Sequence, residues 1–244
     1  MLISVQDLIK KSYELYAKNA KLFFTYAVIV SLPSVALSVL VTILRSVFNL
    51  KELTFLTTLY AILFFILGVV AYFLSLWFSI AFIKTISNSY NGKNAENITK
   101  VIGDTKKFII PTLIVSVLTG LAVLAGFLLL IIPGIIFSVW FAFSFYVVVL
   151  EEKHGTEAMK ESKKMVEGRW LATFIRLLVP SLLFLIVSGI LLTPFNYVMA
   201  NSKSILISNM VDILSSIISI ALAPLLVASQ AILYNELKKT QKPV

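Results

Sequence analysis

Residues 108–150 read FIIPTLIVSVLTGLAVLAGFLLLIIPGIIFSVWFAFSFYVVVL, 43 positions without one charged side chain. Lys106 and Lys107 precede the stretch, and Glu151 and Glu152 close it. Crossing ~30 Å of hydrocarbon takes about 20 residues of α-helix. The stretch is therefore too long for one crossing and suits two, Phe108–Ile132 and Ile135–Leu150, divided by Pro133 and Gly134. We expect a tight external turn at that pair, with a re-entrant tip lining a cavity as the alternative. The apolar residues do not alternate with polar ones, which excludes the strands of a membrane barrel.

Four more runs of the same kind lie outside this centre: Leu22–Leu44, Leu53–Ile83, Leu171–Phe195 and Ile205–Tyr234. The second and sixth runs in chain order carry their polar residues early (Thr54, Thr57 and Thr58; Ser208, Asn209 and Asp212). Their membrane cores are expected at Ile62–Ile83 and Leu214–Leu233, with the leading parts at the outer interface or extending as tilted helix. The total is six transmembrane helices in an all-α membrane protein, one polytopic domain over 1–244. Composition agrees: 59% of residues are hydrophobic, 14% are charged and the mean hydropathy is +0.97. Soluble domains carry about 45–50% apolar and about 25% charged residues, so a soluble globular enzyme is excluded.

Charge sets the orientation. The segments before the first run, between the second and third, between the fourth and fifth, and after the sixth hold 17 Lys and Arg. The opposite loops hold three, Arg45, Lys51 and Lys203. Under the positive-inside rule both termini are cytoplasmic, in the cell membrane. The 21-residue polar lead and 23-residue first run do not fit a cleaved signal peptide, whose apolar region spans about 7–15 residues. The net charge of +9 lies at membrane edges rather than on a soluble face, which argues against a nucleic-acid partner.

The basic segments are amphipathic. Ser4 and Asp7 form an N-cap pair, after which Val5, Leu8, Ile9, Ser12 and Tyr16 share one helical face opposite Asp7, Lys10, Lys11, Glu14 and Lys18. Ile98, Val101, Ile102, Phe108 and Ile109 oppose Glu96, Lys100, Asp104 and Lys107. Met159, Ser162, Met165 and Val166 oppose Glu157, Lys160, Glu161, Lys163, Lys164 and Glu167. Helices at 4–18, 95–107 and 156–168 are expected along the inner interface, apolar face in the acyl boundary, with lysines on anionic headgroups. The alternative is a solvated linker helix. Lys10, Lys11, Lys106, Lys107, Lys163 and Lys164 are the candidate headgroup contacts. Each amphipathic helix precedes an outward span with a proline (Pro33, Pro111, Pro180) and then an inward span. Either a threefold parallel repeat of units 1–92, 93–155 and 156–244 or chance accounts for this order.

The stretch Leu128–Trp170 resembles a family of prokaryotic membrane proteins grouped with the membrane domain attached to some glycerophosphoryl diester phosphodiesterases. The shared features are Pro133–Gly134, an aromatic inward helix, and an amphipathic helix with Glu157, Ala158, Ser162, Gly168 and Trp170. The opening LIKKSYELYAKN and the closing YNELK at Tyr234–Lys238 fit as well. The resemblance implies a six-helix cytoplasmic-membrane protein of undefined function. The phosphodiesterase chemistry belongs to a separate soluble domain and does not carry over.

Few residues suggest chemistry. The chain has no Cys and one His, which leaves no thiolate and no His cluster for a cofactor or metal. Arg176 stands five residues into its run and is expected to snorkel, with transport as the alternative. Asp212 is a second intramembrane candidate, placed at the outer interface and out of reach of Arg176. Glu151, Glu152 and His154 suggest a metal or acid–base site, against which stands plain interfacial solvation. Ser75, Ser79, Ser116, Ser144 and Asn196 would line a transporter's cavity, or else serve as small packing residues. We expect a non-catalytic scaffold, assembly or lipid-interacting protein, with membrane lipids and other membrane proteins or self-association as partners. The alternative is a small-solute transporter or channel-like protein.

Overall fold

The computed structural model describes residues 2–47, 55–94, 96–202 and 205–241. Every regular element among them is helical. Helix α1 (Val5–Lys18) starts where Ser4 accepts the Asp7 N–H at 3.0 Å and donates its hydroxyl to the Asp7 carboxylate at 2.7 Å. That satisfies one of the donors a helix start leaves open. Then follow α2 (Ala20–Val47) and α3 (Phe55–Tyr90). Asn97 caps α4 (Ile98–Thr105) by accepting the Thr99 N–H at 3.0 Å, so this helix begins at 98 rather than 95. A 3-10 turn, Lys106–Phe108, joins it to α5 (Ile109–Leu129). The chain continues as α6 (Ile131–Trp140), α7 (Ser144–Glu151), α8 (Gly155–Val166), α9 (Trp170–Asn201) and α10 (Ile205–Lys239).

Six segments are long and apolar enough to cross a membrane: Ala20–Leu44, Thr58–Tyr90, Ile98–Leu129, Ile131–Glu151, Trp170–Asn201 and Met210–Lys239. They match the six runs of the sequence. At 36 residues, α3 is longer than ~30 Å of hydrocarbon requires, so its polar leading part continues as helix. Lys51 and Lys203, two of the three bases assigned to the opposite side, lie outside the described residues.

Two local expectations change. The turn between the third and fourth spans is not made by Pro133–Gly134. It falls at Leu130, whose backbone is extended (φ −165°, ψ 159°), and Pro133 sits in the first turn of α6, where its missing N–H costs nothing. Gly134 instead allows close packing: a Cβ there would stand 2.4 Å from the Phe127 ring, and one on Gly126 would stand 2.9 Å from the Gly134 Cα. The fourth span is also not one helix. It breaks at Phe141–Phe143, between α6 and α7. The Ser162 hydroxyl from α8 bridges the break, donating to the Trp140 carbonyl at 2.7 Å and accepting the Phe143 N–H at 3.1 Å. Pro111 lies in the first turn of α5, whereas Pro33, Pro180, Pro194 and Pro224 are inside helices.

The helices pair as hairpins α2–α3, α5–α6 and α9–α10. The amphipathic helices interlock them: α4 packs on α3, α8 on α7, and α1 on α10 and α9. Their apolar stripes face protein rather than the acyl boundary. Leu8, Ser12 and Leu15 of α1 are buried, as are Val101, Thr105 and Phe108 in and after α4, and Ala158, Ser162 and Met165 of α8. Apolar, hydroxyl and apolar residues thus recur at one spacing three times. Burial concentrates at this end of the bundle, the basic end, while stretches such as 182–191 and 212–217 are largely exposed.

The bridge at the helix break gives a test. Ser162→Ala strands a carbonyl and an N–H in a buried setting, at a cost of about 1–3 kcal/mol. Ser12→Ala removes only a bond to its own helix, at Leu8. Thermal unfolding in detergent should show a clear drop in Tm for Ser162→Ala and little change for Ser12→Ala. Equal effects would refute the bridging role.

Candidate functional site

At the basic end the C-terminal part of α10 meets the carboxylates of α7 and α8. Glu151, at the end of α7, accepts from Lys238 at 2.8 Å and from the Tyr234 hydroxyl at 2.7 Å. Glu161 of α8 accepts from Lys153 at 2.8 Å, Gln241 at 3.0 Å and Lys238 at 3.1 Å. Arg169 donates to the carbonyls of Met165 and Leu237, both at 2.7 Å, and to the Thr240 hydroxyl at 2.6 Å. Tyr90 donates to Glu236 at 2.7 Å. These bonds tie α3, α7, α8 and α10 together. The hydrogen bond from Lys153 pulls the Glu161 carboxyl down to about 2 against the opposing effect of burial, with Gln241 and Lys238 adding to the pull. Lys153 is correspondingly raised by its bond to Glu161.

This network separates the Glu151, Glu152 and His154 of the sequence. Glu152 has a left-handed backbone (φ 58°) and its exposed carboxylate meets Lys107 at 2.8 Å, which lowers its pKa. His154 occupies the N-cap of α8 without a side-chain capping bond. Among the described residues no group of three or more His, Cys, Asp or Glu is placed to hold a metal.

The candidate lysines fall into two classes. Lys10, Lys11, Lys106 and Lys164 are exposed, and Lys10 makes only a loose pair with Glu14 at 4.0 Å. Lys107 binds Glu152 and lies 4.8 Å over the Phe108 ring, while Lys163 lies 4.2 Å over Trp140. Arg176 donates to the carbonyls of Ala172 and Ile3, so it holds the start of α1 to α9. Asp212 is exposed near the far end of α10, beside a hollow of ≈ 220 Å³ with Ser38 and Thr42. Arg176 lies near the start of α9 and Asp212 near the start of α10, the helix with which α9 forms a hairpin.

A cleft of ≈ 510 Å³ lies between α2, α3, the α6–α7 break and α10. Its polar lining is Ser31, Ser79, Tyr146, Ser219 and Gln230, and none of the described lining residues is charged. Of the five polar residues that the sequence offers as cavity-lining, Ser79 is there; Ser75, Ser116, Ser144 and Asn196 are not. Ser144 is buried instead. Gln230 and Tyr146 join the lining without having been expected there, although a glutamine within an apolar run is a signal of a polar interior. The Tyr146 hydroxyl donates to Gln230 Oε1 at 3.3 Å.

A family model described as Domain of unknown function (DUF7847) matches residues 99–234, more than half of the chain. It covers most of the stretch from α4 to α10 and includes the helix break, Ser162 and Gln230. Among curated proteins and among solved structures nothing matches the chain.

The ionic network predicts a pH dependence. A carboxyl held below its ordinary value of 4.5 stabilises the fold above that pH. The contribution is lost as pH falls through the folded-state value of about 2. Thermal unfolding in detergent should show Tm dropping across this window. Glu161→Gln should lower Tm at neutral pH and flatten that part of the profile; an unchanged profile would remove Glu161 from the network's stabilising role.

Proposed function

We propose a non-catalytic, lipid-interacting role in the cell membrane for this chain, which belongs to the DUF7847 family, a domain of unknown function. On this reading it is a multi-pass protein with both termini cytoplasmic and no enzymatic activity. Its partners are anionic lipid headgroups of the inner leaflet and other membrane proteins or further copies of itself. The observation that carries this is the division of labour at the basic end. The carboxylates Glu151 and Glu161 are already neutralised by Lys153 and Lys238, while Lys10, Lys11, Lys106 and Lys164 stay exposed around them. Exposed lysines with no close ion pair, beside apolar spans, suit a negatively charged surface, each contributing about 1 kcal/mol.

The same reading takes in the three units 1–92, 93–155 and 156–244. The common buried spacing of Leu8–Ser12–Leu15, Val101–Thr105–Phe108 and Ala158–Ser162–Met165 supports them as a parallel repeat. The grouping with the membrane domain attached to glycerophosphoryl diester phosphodiesterases belongs here too, and fits a lipid setting without lending any hydrolytic chemistry. A small-solute transporter or channel-like protein is the second reading, favoured by the uncharged cleft beside the broken fourth span.

Topology and lipid preference are each open to test. Reporter fusions after Gly92 and Thr156 should read as cytoplasmic, and those after Asn49 and Lys203 as external; an external signal at Gly92 or Thr156 would overturn the orientation. In vesicles of phosphatidylcholine with brominated phosphatidylglycerol, quenching of Trp77, Trp140 and Trp170 should exceed that expected from the bulk fraction. Replacing Lys10, Lys11, Lys106 and Lys164 with Gln, or adding high salt, should remove the excess. Solute flux in proteoliposomes that vanishes on Arg176→Ala would install the transporter instead.

A further inference from the structure

We propose that the cleft between α2, α3, the α6–α7 break and α10 binds an uncharged amphiphile, a lipid with a hydroxyl-bearing head and no phosphate, of the mono- or diacylglycerol class. This goes beyond the headgroup contacts of the basic end and does not depend on them. Its volume of ≈ 510 Å³ lies within the range of about 300–1,000 Å³ for small-molecule sites, which are mostly apolar with a few converging polar groups.

The hydrogen-bond inventory defines the ligand's head. Ser31 donates to the Ala27 carbonyl at 2.8 Å, Ser79 to Ser75 at 2.7 Å and Ser219 to Ser215 at 2.9 Å, while Tyr146 donates to Gln230. The donor protons of all four hydroxyls are therefore spent, and their oxygens remain as acceptors. The Gln230 Nε2 has no protein partner among the described residues, which leaves an amide donor beside those acceptors. A hydroxyl group both gives and takes a hydrogen bond and meets this set without bringing charge. A phosphate head would enter a cleft lined by no cation, and burying an unpaired charge is strongly unfavourable.

Space and access fit an acyl chain as well. Small residues from three elements keep the cleft open: Ala27 on α2, Ala142 at the helix break and Ala223 on α10. Ser219 is exposed, and Val30, Ile220 and Val227 are half-buried, so the cleft opens among apolar side chains at the bundle surface. Were the fourth span one unbroken helix, Ala142 and Tyr146 would follow its regular turn; the break gives both their place on the cleft wall.

The test uses the purified full chain in phosphatidylcholine vesicles carrying a photoactivatable diacylglycerol or, separately, a photoactivatable phosphatidylglycerol. The diacylglycerol probe should crosslink to peptides of α2 and α10 that line the cleft. Unlabelled monoacylglycerol should compete it away in the wild-type protein. Gln230→Leu, which removes the donor, and Ala223→Phe, which fills the space, should each cut crosslinking about tenfold, while Asp212→Asn leaves it unchanged. Tm in detergent reports whether each variant is folded, and the competition arm is decisive without any variant. Equal labelling of the cleft by the phosphatidylglycerol probe, labelling that monoacylglycerol does not displace, or no labelling of the cleft would overturn the proposal. Loss of the lysine-dependent preference for anionic lipid, with cleft labelling intact, would refute the headgroup role alone.

Discussion

A backbone amide inside hydrocarbon has no water to bond with, so any departure from the helix must be answered by another part of the same molecule. The break at Phe141–Phe143 is answered by Ser162, and the answer comes from an amphipathic helix rather than from a span. Other side chains make similar links. Trp77 donates to the Ile102 carbonyl at 2.8 Å, joining α3 to α4. Trp170 reaches Ile136 at 3.4 Å, and Tyr16 of α1 reaches Ala221 at 3.1 Å. The last of these lies one residue from the Ile220 carbonyl, to which Pro224 has no N–H to give. Polar side chains that a bilayer would otherwise disfavour are used to seat the short helices on the long ones.

Charge follows the same economy in a wetter setting. The acids nearest the core, Glu151 and Glu161, are shared between Lys153 and Lys238, so neither faces the low-dielectric bundle alone. The arrangement fixes α7, α8 and α10 at one level. It also decides which lysines are left over. Those on the outward faces of α1 and α8 have no comparable partner, and Lys163 and Lys107 are partly held by aromatic rings.

The long runs were legible because the hydrophobic requirement of a span is written in consecutive residues. Ser4–Asp7 as a cap and the faces of the amphipathic helices were legible for the same reason: their signals are local. The destination of those faces was not, since Leu8, Val101 and Met165 are equally suited to acyl chains and to protein. The break in the fourth span left no mark either. Phe141, Ala142 and Phe143 include no Pro or Gly, and the residue that permits the break lies 19 to 22 positions away. Pro133–Gly134 misled in the opposite direction, because Pro suits the first turn of a helix as well as a loop and Gly suits close packing as well as a turn. The lysines of the basic end could be named from the sequence. The cleft could not, being assembled from residues on α2, α3, α7 and α10 whose common wall exists only once the bundle has formed.

The seat of α1 has a consequence for how the chain is made. Its hydroxyl contact to α10 spans 205 positions of sequence. Synthesis runs at about 5–20 residues per second, so α1 emerges roughly 10–40 s before the helix it will cover. During that interval Leu8 and Leu15 have no protein to bury them, and an amphipathic helix without a partner rests at the bilayer surface. The contact that seats α1 is therefore among the last the chain can make, closing only once α10 has been synthesised.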